Sequence, residues 1–206
     1  MGPAAVSLIS GQTPVADQGA RPTCVAMAAM AAHEYGRGGL RLSVEHLWAN
    51  TSARGGVVTG GARLSVLRTA LVLDGQCEDR SWPYGTSVPT PAPQPLPTTL
   101  YKATLASQIA MASLVTVQSE LAVGRPVVLV INPNPAFGLG ASPIDASETD
   151  PADSFLHAVL VVGYDNGRAI ITVRNSWGTT WGAAGYADLT YNFVSLRARA
   201  LLSVVS

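Results

Sequence analysis

Three side chains scattered along the chain have the types needed to cleave an amide: the thiol of Cys24, the imidazole of His157 and the carboxamide of Asn175. Cys24 follows Gly19-Ala20-Arg21-Pro22 and opens an Ala/Met-rich run with high helix propensity. A helix N-terminus carries partial positive charge, which favours thiolate over thiol. Pro22 suits a helix start. Read alone, Cys24 also suits a small buried hydrophobe. His157 begins an apolar run directly after a polar, Gly-rich loop, and Asn175 ends the next such run. Asp165-Asn166-Gly167 between them is a hairpin signal. Pairing about a centre near residue 166 predicts that 157 and 175 stand almost opposite each other. A thiolate attacks a carbonyl carbon, an imidazole moves the proton, and an amide fixes the imidazole tautomer. Gln18, six residues before Cys24, is a candidate donor to the developing oxyanion beside the Cys24 N–H. His33 and His46 fall inside predicted helices and are expected to be structural or surface residues.

These residues need a scaffold that brings the two ends of the chain together. The first part, to about Tyr84, reads as helical: Cys24 to Tyr35, a short helix capped by Ser43, and a third from about Gly61 to Asp74 with Leu64, Leu67 and Leu71 on one face and Gly75 at its end. Val88 to Pro97 holds five prolines and is expected to be an extended connector. Gln108 to Val123 reads as one helix, or a strand and a helix. Strands are predicted at Pro126 to Asn132, His157 to Tyr164, Ala169 to Trp177, Tyr186 to Tyr191 and Leu201 to Val205. Phe137 to Ser154 reads as a loop without apolar period. Helices first and an antiparallel sheet later is an α+β pattern.

Composition narrows the classes further. Apolar residues make up 48% of 206, enough for a real core. Lys+Arg and Asp+Glu both number 13, and no basic run exists, so no nucleic-acid surface is indicated. No apolar stretch is long enough to span a bilayer, and the N-terminus has no secretory-signal pattern, so a cytoplasmic location is expected. The two cysteines, Cys24 and Cys77, are expected to be free thiols. Two Cys and three His show no metal-ligand spacing, and no phosphate-cradling loop is present, so neither metal nor cofactor is expected.

The residues resemble the papain-like cysteine peptidases. The N-terminal anchor is PVADQGARPTCVAMA, and the C-terminal anchor is HAVLVVGYD with ITVRNSWGTTWGAAGY; LSVEHLWA, TGGARLSVL and DGQCEDRSWPY follow the family order between them. Cys24 precedes His157 by 133 residues and Asn175 by 151, as such enzymes require. The resemblance implies a single two-lobed α+β domain over residues 1–206. A helical left lobe would span about 14–98 and a sheet-rich right lobe about 99–206, with the cleft between them and N-terminal residues crossing to the right lobe. It implies Cys24 as nucleophile, His157 as base, Asn175 as orienting amide and Gln18 as oxyanion donor. Trp177 would shield the His157–Asn175 bond and Trp181 would edge the leaving-group side. Gly60, Gly61, Ala62, Arg63, Leu156 and Ala158 would contact a peptide or protein substrate, with Gly60-Gly61 offering bare backbone to an extended chain.

Departures from the family pattern bear on control. The C-G-[SA]-C-[WY] signature is replaced by Arg21-Pro22-Thr23-Cys24-Val25. The secreted members' extra cysteines are missing, and Gly75 to Tyr84 is closer to bacterial and archaeal members, with Cys77 as a structural position. Leu156 stands where plant members often carry Asp, so no carboxylate there holds the imidazolium. Arg63 is expected to disfavour basic side chains in the main pocket. Only about a dozen residues precede the matching region, so either a pro-segment has been removed or control comes from elsewhere: the loop Gly138 to Asp153 or the Pro-rich connector covering the cleft, an inhibitory partner, or a fused domain. Two other readings fit the same residues: an idle peptide-binding module, and a cysteine acyltransferase or amidase acting as an effector.

Overall fold

The computed structural model describes residues 2–109, 113–149 and 155–206. Cys24–Gly36 forms helix α1, buried along its length from Val25 to Glu34. Its Ala-rich sequence lets neighbours approach closely on every side, so it serves as a central post. Val44–Ala53 forms α2, begun by the Ser43 hydroxyl accepting the His46 N–H at 3.1 Å. Val57–Val58 (β2) and Gly61–Ala62 (β3) make a small ribbon, and α3 then runs Leu64–Leu73. Leu67 and Leu71 are fully buried, as their spacing predicts; each contributes about 1.5–3 kcal/mol relative to an exposed position. Leu64 is only half-buried because it faces a groove. The expected helix start at Gly61 is β3 instead, and Gly75 ends α3 with φ +78° and its N–H on the Ala70 carbonyl.

Seven strands among the described residues form one antiparallel sheet: Ala5–Ser7 (β1), Leu105–Ile109 (β4), Val127–Ile131 (β5), His157–Asp165 (β6), Ile170–Arg174 (β7), Tyr186–Thr190 (β8) and Ala198–Val205 (β9). The order is β4-β9-β5-β6-β7-β8, and β1 extends the β5 side of β6 by pairing Ala5 with Asp165 and Ser7 with Gly163. The N-terminal residues thus lie on the sheet. The C-terminal Ser206 returns to the helices, its hydroxyl donating to the His33 carbonyl at 2.9 Å.

The sheet is buried on both faces, and alternation along the strands sorts the residues. Val128, Ala158, Leu160, Val162, Leu202 and Val204 pack with α1 and its helical neighbours. Val127, Leu129, Ile131, Val159, Val161 and Leu201 face a second core closed by Leu114–Ala122 (α4), Pro135–Leu139 (α5) and Tyr191–Arg197 (α6). Strand β6 therefore touches both lobes, which places its first residue at the seam.

The structure refines three points. Residues 108–123 divide into the end of β4 and α4, with 110–112 outside the described residues. The stretch expected as an aperiodic loop from Phe137 begins inside α5, started by Pro135 and by the Asn134 side chain accepting the Phe137 N–H at 3.0 Å. Its later part is stitched to β8, with the Ile144 N–H on the Asp188 carbonyl at 2.8 Å, and residues 150–154 lie outside the described residues. Helix α6 carries little sequence signal; a Thr190 cap that accepts the Phe193 N–H starts it.

Candidate active site

Cys24 is the first residue of α1, half-buried, and the segment before it is clamped. Gly19 turns at φ +59°, where a Cβ would stand 2.3 Å from the Thr86 carbonyl oxygen, so only glycine fits. The Ala20 N–H donates to that same oxygen. Arg21 is buried in an ion pair with Glu45 and lies over the Tyr84 ring at 4.5 Å. The Tyr84 hydroxyl donates to the Gln18 carbonyl at 3.0 Å and meets the Thr23 hydroxyl at 2.5 Å. The Gln18 side-chain amide donates to the Arg21 carbonyl at 2.8 Å while its oxygen accepts from the Ser176 hydroxyl at 2.7 Å. Gln18 is thereby locked between the nucleophile's segment and the residue after Asn175, with its second amide N–H left to donate elsewhere.

The other side of the site is built on the sheet. His157 opens β6 on the face of the second core. Its Nε2–H donates to Asn175 Oδ1 at 2.7 Å, which leaves Nδ1 as the acceptor nitrogen. The Ser176 N–H holds that same amide oxygen at 2.8 Å, while Asn175 Nδ2 is buried without a partner. Trp177 lies over the imidazole, ring centres 4.5 Å apart. Phe137, fully buried on α5, meets the imidazole edge-on at 5.7 Å. The His157–Asn175 bond is thus made in dry surroundings, which strengthen it.

The hairpin register corrects the expected symmetry. The last β6–β7 pair is Leu160 with Arg174, and a bulge lies between Val161 and Gly163. His157 sits three residues beyond that pair and Asn175 only one. The two are not cross-strand partners; the chain leaves β7 at Asn175 and its side chain turns to reach the imidazole.

Cys24 and His157 open onto one groove of about 520 Å³. Gly60, Gly61, Ala62, Leu156 and Ala158 line it, as the resemblance implies. Arg63 does not: it is exposed at the N-cap of α3, and the lining passes from Ala62 to Leu64. Trp181 is also absent from the lining. It is buried behind Trp177, its Nε1–H donating to the Phe137 carbonyl at 3.0 Å. Phe137, Ser176, Leu64 and Arg199 are the site residues that sequence reasoning missed. The one local signal that could have found Phe137 is the Asn134-Pro135 helix start.

Burial sets the protonation states. It pushes the Cys24 thiol up, against the backbone N–H groups of Ala158, Val25 and Cys24 itself, which favour thiolate. Burial also lowers His157 to about 4, partly opposed by the Asn175 bond. The helix N-terminus favours the thiolate, and desolvation of Cys24 opposes it. Among the described residues no cluster of three or more His, Cys, Asp or Glu could hold a metal, and no helix is long and apolar enough to cross a membrane. Cys77 is a buried free thiol, and His33 and His46 are held inside the helical side by Gln76 and by the Cys77 N–H.

The chain superposes over its whole length on xylellain, a cysteine protease from Xylella fastidiosa, with a TM-score of 0.80, 26% identity and 87% of that chain covered. It is 37% identical over 70 residues, 33% of this chain, to a cathepsin L-like proteinase of Fasciola hepatica. It is 51% identical over 39 residues, 18% of this chain, to cathepsin L of Sarcophaga peregrina. Those matched stretches span only 22% and 12% of the two relatives. The sequence pattern of the papain family cysteine proteases, however, matches residues 8–197, and the chain belongs to that family.

Proposed function

We propose that this chain hydrolyses peptide bonds through a Cys24 acyl-enzyme. The observation that carries the reading is the buried 2.7 Å His157–Asn175 bond behind the groove that Cys24 and His157 both line. An extended substrate lies along Gly60-Gly61, where backbone is bare. As Cys24 Sγ attacks the carbonyl carbon, its proton passes to His157 Nδ1. The developing oxyanion takes the Cys24 N–H and the second N–H of the Gln18 amide. His157 returns the proton to the leaving nitrogen as the C–N bond breaks. It then takes a proton from water, whose oxygen attacks the thioester and frees the acid and the thiol.

The bacterial and archaeal likeness of the Gly75 to Tyr84 stretch supports a prokaryotic type of member. Two unpaired thiols suit a reducing compartment, and the cytoplasm is the proposed location. A protein inhibitor occupying the same groove is the proposed means of control, since it would compete with substrate for Gly60-Gly61. The test is labelling with the thiol-directed epoxide E-64 beside hydrolysis of a quenched peptide mixture. Stoichiometric labelling and hydrolysis, both lost in Cys24→Ala, are expected. An unlabelled Cys24 with no cleaved peptide ends the proposal.

A further inference from the structure

The groove's charge is one-sided. Its walls are mostly apolar or bare backbone, from Leu64, Val130 and Leu156 to Gly60-Gly61, and among the described residues no carboxylate lines it. Apart from His157, the charged-type group among the described lining residues is Arg199. Arg199 sits at the start of β9, where the β5–β9 register shifts between Val130 and Ile131. Its Nη1 donates to the carbonyls of Leu196 and Ala198, at 3.0 and 3.1 Å. Both belong to the turn that ends α6, so the guanidinium is tied to a helix C-terminus. That leaves Nε–H and the two Nη2 hydrogens, the edge that binds a carboxylate bidentately. Arg54 with Asp74 and Arg125 with Glu120, by contrast, spend that edge internally. Arg199 forms no ion pair among the described residues. Gln108 on β4 lines the same groove and adds an uncharged amide donor.

Resting on the peptidase reading, we infer that the groove selects a substrate with an acidic side chain, which Arg199 binds. The anchoring of Nη1 holds the fork in place before substrate arrives, so little side-chain freedom is lost on binding. The apolar walls take the methylene part of the acidic side chain, and Glu suits this better than Asp. Lys and Arg side chains meet a fixed positive charge and are rejected. The Arg63 expectation is thus replaced by a residue that lies in the groove.

Quenched peptides with amidated C-termini and Glu, Gln or Lys at each position flanking the cut bond test the assignment. The wild type is expected to favour Glu over Gln at one position by about tenfold in kcat/KM, less at high salt. Arg199→Ala levels the pair, and Arg199→Glu turns the preference to Lys. Equal cleavage of Glu and Gln by the wild type, or a preference that persists in Arg199→Ala, overturns the inference. So does a preference seen only in peptides with a free C-terminal carboxylate. Fluorescence-polarisation binding of the same peptides to Cys24→Ala separates this from the chemistry. If E-64 labelling and cleavage both fail, the peptidase reading falls, and tighter binding of Glu than Gln, lost with Arg199, still decides the selectivity.

Discussion

The two halves of the site are held by opposite means. Cys24 is delivered by a polar clamp: Gly19 on Thr86, Arg21 on Glu45, Tyr84 on Gln18 and Thr23. His157 is held by one hydrogen bond inside an aromatic box of Phe137, Trp177 and Trp181. The nucleophile needs its backbone N–H aimed at an oxyanion, and only a fixed backbone does that. The imidazole needs one tautomer and little water, and packed rings supply both. The difference teaches that each half can be damaged separately.

The largest effect removes the base. His157→Ala is expected to lower kcat by about 10⁵-fold, as losing one member of a cooperating triad does. The aromatic box should hold without the ring, so unfolding midpoints should move little beside that loss. Next come the two supports. Glu45→Ala strands the buried Arg21 guanidinium and is expected to cost about 3–5 kcal/mol in urea unfolding. Phe137→Ala opens a cavity beneath the imidazole and is expected to cost about 3–5 kcal/mol as well. Their signatures differ. Water entering the Phe137 cavity raises the His157 pKa from about 4 toward its ordinary value, whereas Glu45→Ala leaves it in place. NMR titration of the imidazole reads this directly, and equal shifts in both variants would mean the halves are not independent. Gln18→Ala follows, with an expected 10²–10³-fold fall in kcat at little change in KM. A loss seen in KM instead would assign Gln18 to ground-state binding.

The same contrast explains what the sequence disclosed. Cys24, His157 and Asn175 were legible because helix starts, strand starts and hairpin turns are local events with local signals. The Ser43 cap and the buried Leu67 and Leu71 were legible for the same reason. The aromatic box was not. Phe137 sits in a five-residue helix inside a Gly- and Pro-rich stretch, and its ring finds His157 only through tertiary packing. Arg199 was hidden likewise, since whether an arginine on a strand faces a groove depends on a register shift. Arg63 failed for the converse reason: its neighbours line the groove, but the N-cap geometry of α3 turns it outward. The hairpin symmetry failed because the connection is the longer loop 166–169, centred between 167 and 168 and not near 166, and the bulge returns the register by only one residue.

The smallest predicted effect addresses which protonation state does the work. With His157 held at about 4, the imidazole is neutral above that pH and charged below it. A neutral base is needed to take the thiol proton, so kcat/KM is expected to fall as pH drops through about 4. Leu156, the neighbour of His157, is more than half exposed, so a carboxylate placed there stays ionised. Leu156→Asp favours the imidazolium and should raise the His157 pKa by about one unit. The acid limb then moves up, and activity at pH 5 falls while activity at pH 7 holds. If the resting groups were instead thiolate and imidazolium, the same carboxylate would stabilise the charged ring and carry the alkaline limb upward. A pH profile of the two proteins therefore tells the two states apart by which limb moves, and an unmoved acid limb would exclude His157 as its source.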